Sequence, residues 1–440
     1  MKRSMKLSVT LFLMFLLVLS ACSPSSEESS SSSEGSDDQI TLTYWGAGHV
    51  TQDNQTMGEW DKKMAEKFHE LHPNVTIKFQ RVGGSDFTKK INTAIAADNP
   101  PDIIGTNGPL RIMEYARHGL LEPLGDDVLG DPSDWKEGIL ANGMYEDELY
   151  FLTTVIGPQV LVVNKKIFED AGKLDLLPKD HDWTWAEFEK ASKQVIGDGI
   201  YATAFWAKNE QVNQNNLTYL MSHGAEWAND DFSEYLINDP KGAEALSNMV
   251  RLVDEGIVAP GPANSDYKSG FKLFKQGKLV AYWASPGEMF NVDNPNFEPY
   301  PIVPLHAEGV EPGVPVSGEQ GIAIFKQDDP EVTKWAKKYL EFVTSTEAIK
   351  ETAKGWLYVP ARKSSNYSMD EEKYSAFNKF LELYDPLEKE ITGKYVPWFG
   401  ELRKSIFPNL QAAFLHELTP QEALDKIVEV GNKLAEENKE

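Results

Sequence analysis

The sequence predicts an α/β fold built as two lobes, and two observations carry that prediction. Short β-branched runs alternate with amphipathic helical stretches along the chain, the pattern of sheets flanked by helices. The body that follows the low-complexity amino terminus, residues 39–440, exceeds the size at which a single hydrophobic core keeps growing, so it is expected to divide. Ile40–Trp45 alternates and ends at Gly46, a strand; Met57–Leu71 sets Trp60, Met64, Phe68 and Leu71 on one helical face and stops at Pro73. Val75–Phe79 is the next strand, Phe87–Ala97 a helix, Asp102–Ile104 a short buried strand and Leu110–His118 a helix before Gly119. Further on, Val160–Val163 reads as a strand, Thr184–Ile196 as a capped helix and Ala243–Glu255 as an amphipathic helix. Such alternation implies open, largely parallel sheets, in which ligands sit beyond the carboxyl ends of the strands.

The first 38 residues precede this body. Lys2, Arg3 and Lys6 form a positive n-region, and Leu7–Leu19 is almost continuous hydrocarbon, too short for a comfortable membrane span. The pattern is that of a signal peptide, residues 1–21. Leu19-Ser20-Ala21-Cys22 resembles a bacterial lipobox, which makes Cys22 the expected lipidated residue. It is the single cysteine of 440 residues, so no internal disulfide competes for it. Residues 23–38 hold nine Ser, five acids, one Pro and one Gly, a composition that buries nothing, so residues 22–38 read as an anchored tether.

The formal charge of the whole chain is −25, and removing the three positive charges of residues 1–21 leaves −28. Such a surface repels nucleic acid and anionic lipid headgroups, and weighs against a phosphate-rich ligand. Eleven Trp, 16 Tyr and 21 Phe supply more aromatic surface than packing requires. Catalytic and metal signatures are missing: His69-Glu70-Leu71-His72 spaces its histidines one residue too closely for a metalloprotease helix. No nucleophile elbow or phosphate loop occurs, and Gly83-Gly84-Ser85-Asp86 reads as a turn. No catalytic residue, metal or cofactor is expected.

Several blocks, in order, resemble the extracellular solute-binding proteins of family 1, which feed ABC importers and include maltose-binding protein. They are Tyr44-Trp45-Gly46, Phe68–Val75, Asn99–Ile104 with its Pro-Asp-Ile strand, and Gly119–Leu124. Val163–Gly172 is similar to the family's Tyr-Asn-Lys segment and leads to Thr184–Phe188; Phe274–Ala281 and Gly355–Arg362 follow. Thr153 and Ser285-Pro286-Gly287 depart from the family pattern, which puts the ligand rather than the fold in question. The resemblance implies a two-lobed periplasmic-binding-protein type II clamp with three interlobe crossings, near Ile156–Gln159, Val316–Gly321 and Tyr358–Arg362. One lobe would take residues 39–157 and 318–360, the other 158–317 and 361–440.

On that reading the protein is a monomeric, non-enzymatic lipoprotein on the outer face of the cell membrane of a Gram-positive cell, partnered by the membrane permease. Its expected ligand is a neutral oligosaccharide. Trp and Tyr cover the apolar C–H face of a sugar ring, while Asp, Glu, Asn, Gln and Arg satisfy its hydroxyls. Candidates at strand ends and crossings are Trp45, Asp86, Thr106, Asn107 and Glu319 for the first lobe. Trp206, Asn209, Glu210, Trp283, Trp398 and Arg403 are those of the second, with Trp356 near the third crossing. The same fold with a glycerol phosphate, polyamine or peptide as cargo, and a secreted glycoside hydrolase, are the competing readings.

Overall fold

The alternating segment Ile40–Gly46 forms strand β1, with Leu42 and Tyr44 buried on one face. The computed structural model that shows this describes residues 39–83, 87–109, 112–208, 214–229, 232–290, 294–313, 316–384 and 398–438. β2 (Val75–Arg81) and β3 (Ile103–Asn107) pair with β1 in parallel on either side, and the helix Glu59–Leu71 connects β1 to β2. Its buried Trp60, Met64 and Phe68 are the stripe that the sequence spacing predicts. β4 (Met144–Tyr145) and β5 (Glu148–Leu149) form a small hairpin before β6 (Leu152–Pro158), every residue of which is buried.

Two later strands complete the larger sheet. β10 (Val316–Ile324) runs antiparallel between β3 and β6, and β11 (Val359–Pro360) closes the edge, giving the order β11-β6-β10-β3-β1-β2. A separate three-stranded sheet places β7 (Val160–Asn164) between β8 (Ala281–Ala284) and β9 (Pro299–Pro301), both antiparallel to it. The expectation of largely parallel sheets therefore holds only for β1, β2 and β3. The chain leaves the larger sheet along β6, enters the smaller one along β7 after Gln159, and returns along β10, so outgoing and returning strands oppose each other.

Helix ends follow local chemistry. Thr184 and Glu187 form a reciprocal capping box, and the helix runs Trp185–Ser192, shorter than the periodicity predicts because its last residues turn toward Gly197. Asp239 caps Pro240–Asp254, with Pro at the position where a missing N–H costs nothing. The helix expected at 110–118 is observed as Met113–Arg117, and residues 110 and 111 lie outside those described.

Apolar packing covers both faces of the larger sheet. Leu42, Tyr44, Phe68, Ile103 and Tyr339 fill one side; Phe87, Ile91, Ile104, Phe151 and Phe325 fill the other. A third cluster, with Leu161, Val163, Phe168, Trp185, Leu246 and Met249, surrounds the smaller sheet. Each such side chain, fully buried, contributes about 1.5–3 kcal/mol.

Contacts with the larger sheet continue past β11. After β11, Ala361 N–H donates to the Thr154 carbonyl, the Arg362 guanidinium pairs with Asp134 at 3.1 Å, and Ser364 donates to Asp134. The Tyr367 hydroxyl reaches the carbonyls of Ala353 and Tyr358. Residues 361–367 thus contact the larger sheet, and the helix Ser375–Tyr384 packs against the 286–290 helix, Phe290 meeting Phe377 and Phe380.

Candidate functional site

The crossing strands carry two glycines side by side, Gly157 on β6 and Gly318 on β10, and the ring of Tyr358 lies over them. A Cβ at Gly157 would stand 2.3 Å from that ring, so only glycine admits this approach. Leu357 ends the helix Thr346–Trp356 in the left-handed region, φ 56°, which turns the chain so that Trp356 and Tyr358 stack with ring centroids 5.7 Å apart. Trp356 is half-buried, and its indole Nε1 is buried without a hydrogen-bond partner among the described residues. Burial, reinforced by Glu288, pushes the Tyr358 hydroxyl up to about 12.

The loop before residue 58 braces this corner. The Gln55 side chain donates to the Gly355 carbonyl, and a Cβ on Gly355 would meet the Val50 carbonyl at 2.2 Å. The loop is itself fixed by His49, whose backbone N–H and Nδ1 both bind the fully buried Asp61, at 2.6 and 2.8 Å.

Facing Trp356 and Tyr358 is a segment from the smaller-sheet side. The backbones of Gly287 and Trp356 approach so closely that a Cβ on Gly287 would lie 3.2 Å from the Trp356 carbonyl. Glu288 beside it is exposed; its Oε2 accepts from the Tyr267 hydroxyl at 2.5 Å and from Ser285 Oγ at 2.9 Å. Its Oε1 takes no hydrogen bond, and no cation pairs with Glu288, among the described residues. Tyr267 opens the helix Tyr267–Lys275 behind the Asp266 cap, stacks on Phe271 at 6.0 Å and meets Trp206 edge-on at 5.7 Å. Burial, then Glu288 and Tyr358, raise the Tyr267 hydroxyl far above its ordinary range, so it acts only as a neutral donor.

The result is a set of rings from both sides with one carboxylate oxygen free to accept. Of the predicted residues, the structure brings Trp206 and Trp356 to this set, linked through Tyr267 and Tyr358. Trp206 itself is 1 % exposed, so it forms the wall behind Tyr267 rather than an open face. Trp283 is buried in the core around the smaller sheet, its ring covered by packing. Glu319 is likewise buried, and its carboxylate is engaged inside the larger sheet by Asn142 Nδ2 and Thr153 Oγ1, each at 2.9 Å. Thr106 is buried on β3, opposite Gly321, with Asn107 opposite Gln320.

Trp45 packs on the sheet face covered by the helix Phe87–Ala96 and lines a groove with Gln80, Lys89 and Asn99, a lining that includes none of the Trp356 set. Trp398 is half-buried before the helix Phe399–Phe414 and donates from Nε1 to the Tyr235 hydroxyl at 3.1 Å; Arg403 is half-buried on that helix. Gln411 of the same helix reaches Ala263, and Trp398 stands thirteen residues earlier, ~20 Å along an ideal axis. Asp86, Asn209 and Glu210 lie outside the described residues. Sequence reasoning passed over Tyr267, Ser285, Glu288 and Tyr358 as contacts. The available signal was an amphipathic helix, 267–275, whose Tyr267 and Phe271 stay half-buried on the apolar stripe.

Over residues 53–350 the chain matches the bacterial extracellular solute-binding proteins, and it belongs to that family. The family and the similar structures are binding proteins, and the chain is a binding protein of the two-lobed type. It is 26 % identical over 241 residues to the diacetylchitobiose binding protein DasA of Streptomyces coelicolor, covering 52 % of this chain and 53 % of that one. The chain thus spans about half the length of the curated relatives it matches. Its fold is similar to the GacH receptor of Streptomyces glaucescens, solved unliganded and with acarbose, at TM-score 0.70 and 20 % identity, over 91 % of this chain and 100 % of that one. It is also similar to the cyclic alpha-maltosyl-1,6-maltose binding protein of Arthrobacter globiformis, at TM-score 0.73 and 18 % identity, over 90 % and 99 % of the two chains.

Proposed function

We propose that this protein captures a neutral oligosaccharide between its two lobes and delivers it to the permease of an ABC importer, while held to the outer face of the membrane through lipid on Cys22. The observation that carries the ligand reading is the facing of Trp356 and Tyr358 with Tyr267 and the open oxygen of Glu288: apolar ring faces beside one uncommitted acceptor suit a sugar's C–H face and hydroxyl edge. The sugar-binding relatives support the same class of cargo. Glycines 157, 287 and 318, where the backbones and Tyr358 come closest, support a hinge at this corner. A ligand touching both sides binds the closed form better and shifts the population toward closure by that difference.

Residues 39–157 and 318–367 would form one lobe and 158–317 with 375–438 the other, the boundary after β11 moved by the contacts of residues 361–367. The body would act as a monomer without cofactor. Trp45, Thr106, Asn107, Trp398 and Arg403 stay in the proposal as contacts made on closure, with Asp86, Asn209 and Glu210.

The test is calorimetric titration of the purified protein with neutral gluco-, manno-, xylo- and chito-oligosaccharides, beside spermidine and glycerol 3-phosphate. One neutral oligosaccharide should bind, and Glu288→Gln should weaken it by about tenfold, the worth of one hydrogen bond to a charged group. Binding of spermidine or glycerol 3-phosphate alone would overturn the sugar reading.

A further inference from the structure

The indole of Trp356 makes no hydrogen bond among the described residues, so its stacking on Tyr358 and the placement of the helix that carries it decide where the ring lies. That helix, Thr346–Trp356, turns Glu351 and Gly355, four residues apart and on one face, toward the segment 49–60. At Gly355 the contact is backbone on backbone: a Cβ there would stand 2.2 Å from the Val50 carbonyl oxygen and 2.6 Å from Thr51 Cα. At Glu351 it is a hydrogen bond, which Oε2 accepts from the Trp60 indole Nε1 at 3.1 Å. Trp60 is 5 % exposed, lies in the first turn of the helix Glu59–Leu71 beside Asp61, and meets His49 edge-on at 5.1 Å. An indole covered to that degree needs an acceptor for its N–H, and Glu351 supplies it. The other carboxylate oxygen of Glu351 stands 3.7 Å from Lys63 Nζ, an exposed pair that contributes little.

We propose that Glu351, acting through Trp60, is a positioning residue for the ligand: it holds the helix Thr346–Trp356 against the segment 49–60 and so sets the Trp356 ring where a sugar stacks. The inference rests on the reading of Trp356 as a ligand contact. A ring that meets its ligand through apolar faces gains only at the correct separation, and a gap of about 0.5–1 Å already forfeits a quarter to a half of the attraction. Trp356 has no polar anchor of its own to correct such an error, because Nε1 is buried and unpartnered among the described residues. Its precision therefore comes from the groups behind it. Tyr367 holds the end of the same helix through the carbonyls of Ala353 and Tyr358, so Glu351 accounts for a share of the positioning rather than all of it. Glu351 is engaged by Trp60 and Lys63, and its effect on the ring passes through the helix.

The experiment titrates the full chain by calorimetry with maltotriose, mannotriose, xylotriose and triacetylchitotriose, and carries the tightest binder into Trp356→Ala, Glu351→Ala, Glu351→Gln and Lys63→Ala. In parallel, acrylamide quenching of the unliganded protein, each variant compared with its Trp356→Phe counterpart, isolates the emission of Trp356 from that of the other tryptophans. Glu351→Ala should change the quenching of Trp356 and weaken the sugar about fivefold, less than the full worth of a hydrogen bond to a charged group because Tyr367 keeps its hold. Glu351→Gln, which keeps an acceptor for Trp60, should restore both, and Lys63→Ala, which removes only the ion pair, should match wild type. The proposal is overturned if Glu351→Ala leaves Trp356 quenching unchanged, a result that stands whichever sugar binds or if none does, or if Glu351→Gln loses as much affinity as Glu351→Ala. Trp356→Ala separates the two readings: unchanged affinity there removes Trp356 from the ligand site and this proposal with it, whereas a loss there with Glu351→Ala unaffected keeps the ligand contact and overturns the positioning role alone.

Discussion

Replacing Asp61 by Asn is expected to destabilise the protein by about 2–3 kcal/mol at neutral pH, a figure that follows from its surroundings. Asp61 is fully buried and takes two hydrogen bonds from His49, one from the backbone N–H and one from Nδ1. Asparagine retains a single acceptor oxygen, so one His49 donor would face an amide NH₂. A stranded buried donor costs ~1–3 kcal/mol, and breaking a buried ion pair outright ~3–5 kcal/mol, which brackets the expectation. Burial by itself raises the Asp61 carboxyl, but the imidazole beside it and the hydrogen bonds from His49 outweigh burial and hold it below its ordinary 3.8. A carboxyl depressed in the folded state adds stability that is complete above its unfolded value and is lost as pH falls through its folded value. Urea unfolding followed by tryptophan fluorescence should therefore show a constant gap between wild type and Asp61→Asn above about pH 4, closing on further acidification. A gap under roughly 0.5 kcal/mol at pH 7, or one that stays open in acid, would refute the reasoning.

Gly157→Ala should lower stability by about 1–3 kcal/mol and weaken ligand binding, because its Cβ would displace the Tyr358 ring. Gly242→Ala, whose Cβ would meet the Ile237 carbonyl at 2.0 Å, is the control: calorimetry should find a stability loss with affinity intact. Trp398→Ala should cost ~2 kcal/mol, less than a fully buried Trp, since the indole is half-buried and loses its bond to Tyr235; a tenfold loss of sugar affinity beyond that would make it a ligand contact, and unchanged affinity would remove it from the site. Cys22→Ala should release the protein from the membrane fraction, and mass spectrometry of the wild-type amino terminus should find lipid; a variant that still sediments with membranes counts against the anchor.

The sequence made the strands and helices of the larger sheet legible because their signals are local. Ile40–Trp45 alternates, Trp60, Met64 and Phe68 recur at helical spacing, and Thr184 and Glu187 are one capping unit. Strand direction depends on where the chain goes between strands, which is why the alternation implied largely parallel sheets while β10 and β11 run antiparallel to β6. For the site, residue type was a poor guide to exposure. Trp206, Trp283 and Trp356 look alike in sequence, yet two are almost fully covered and one is half-open. Glu319 and Glu288 are equally plausible acceptors until the neighbours of each are known: Asn142 and Thr153 occupy the first, whereas only one oxygen of the second is engaged. Those neighbours lie far off in the chain, and no local pattern names them.

The position of β10 governs when the molecule can assemble. It is the strand that joins β3 to β6, and it comes after residue 315, with β11 later still. A growing chain that has not reached it holds β3 and β6 with open edges and no direct link between them. Pairings this distant in sequence close slowly, because the intervening loop entropy must be overcome first. At ordinary synthesis rates of ~5–20 residues per second, most of the polypeptide is made before its main sheet can form.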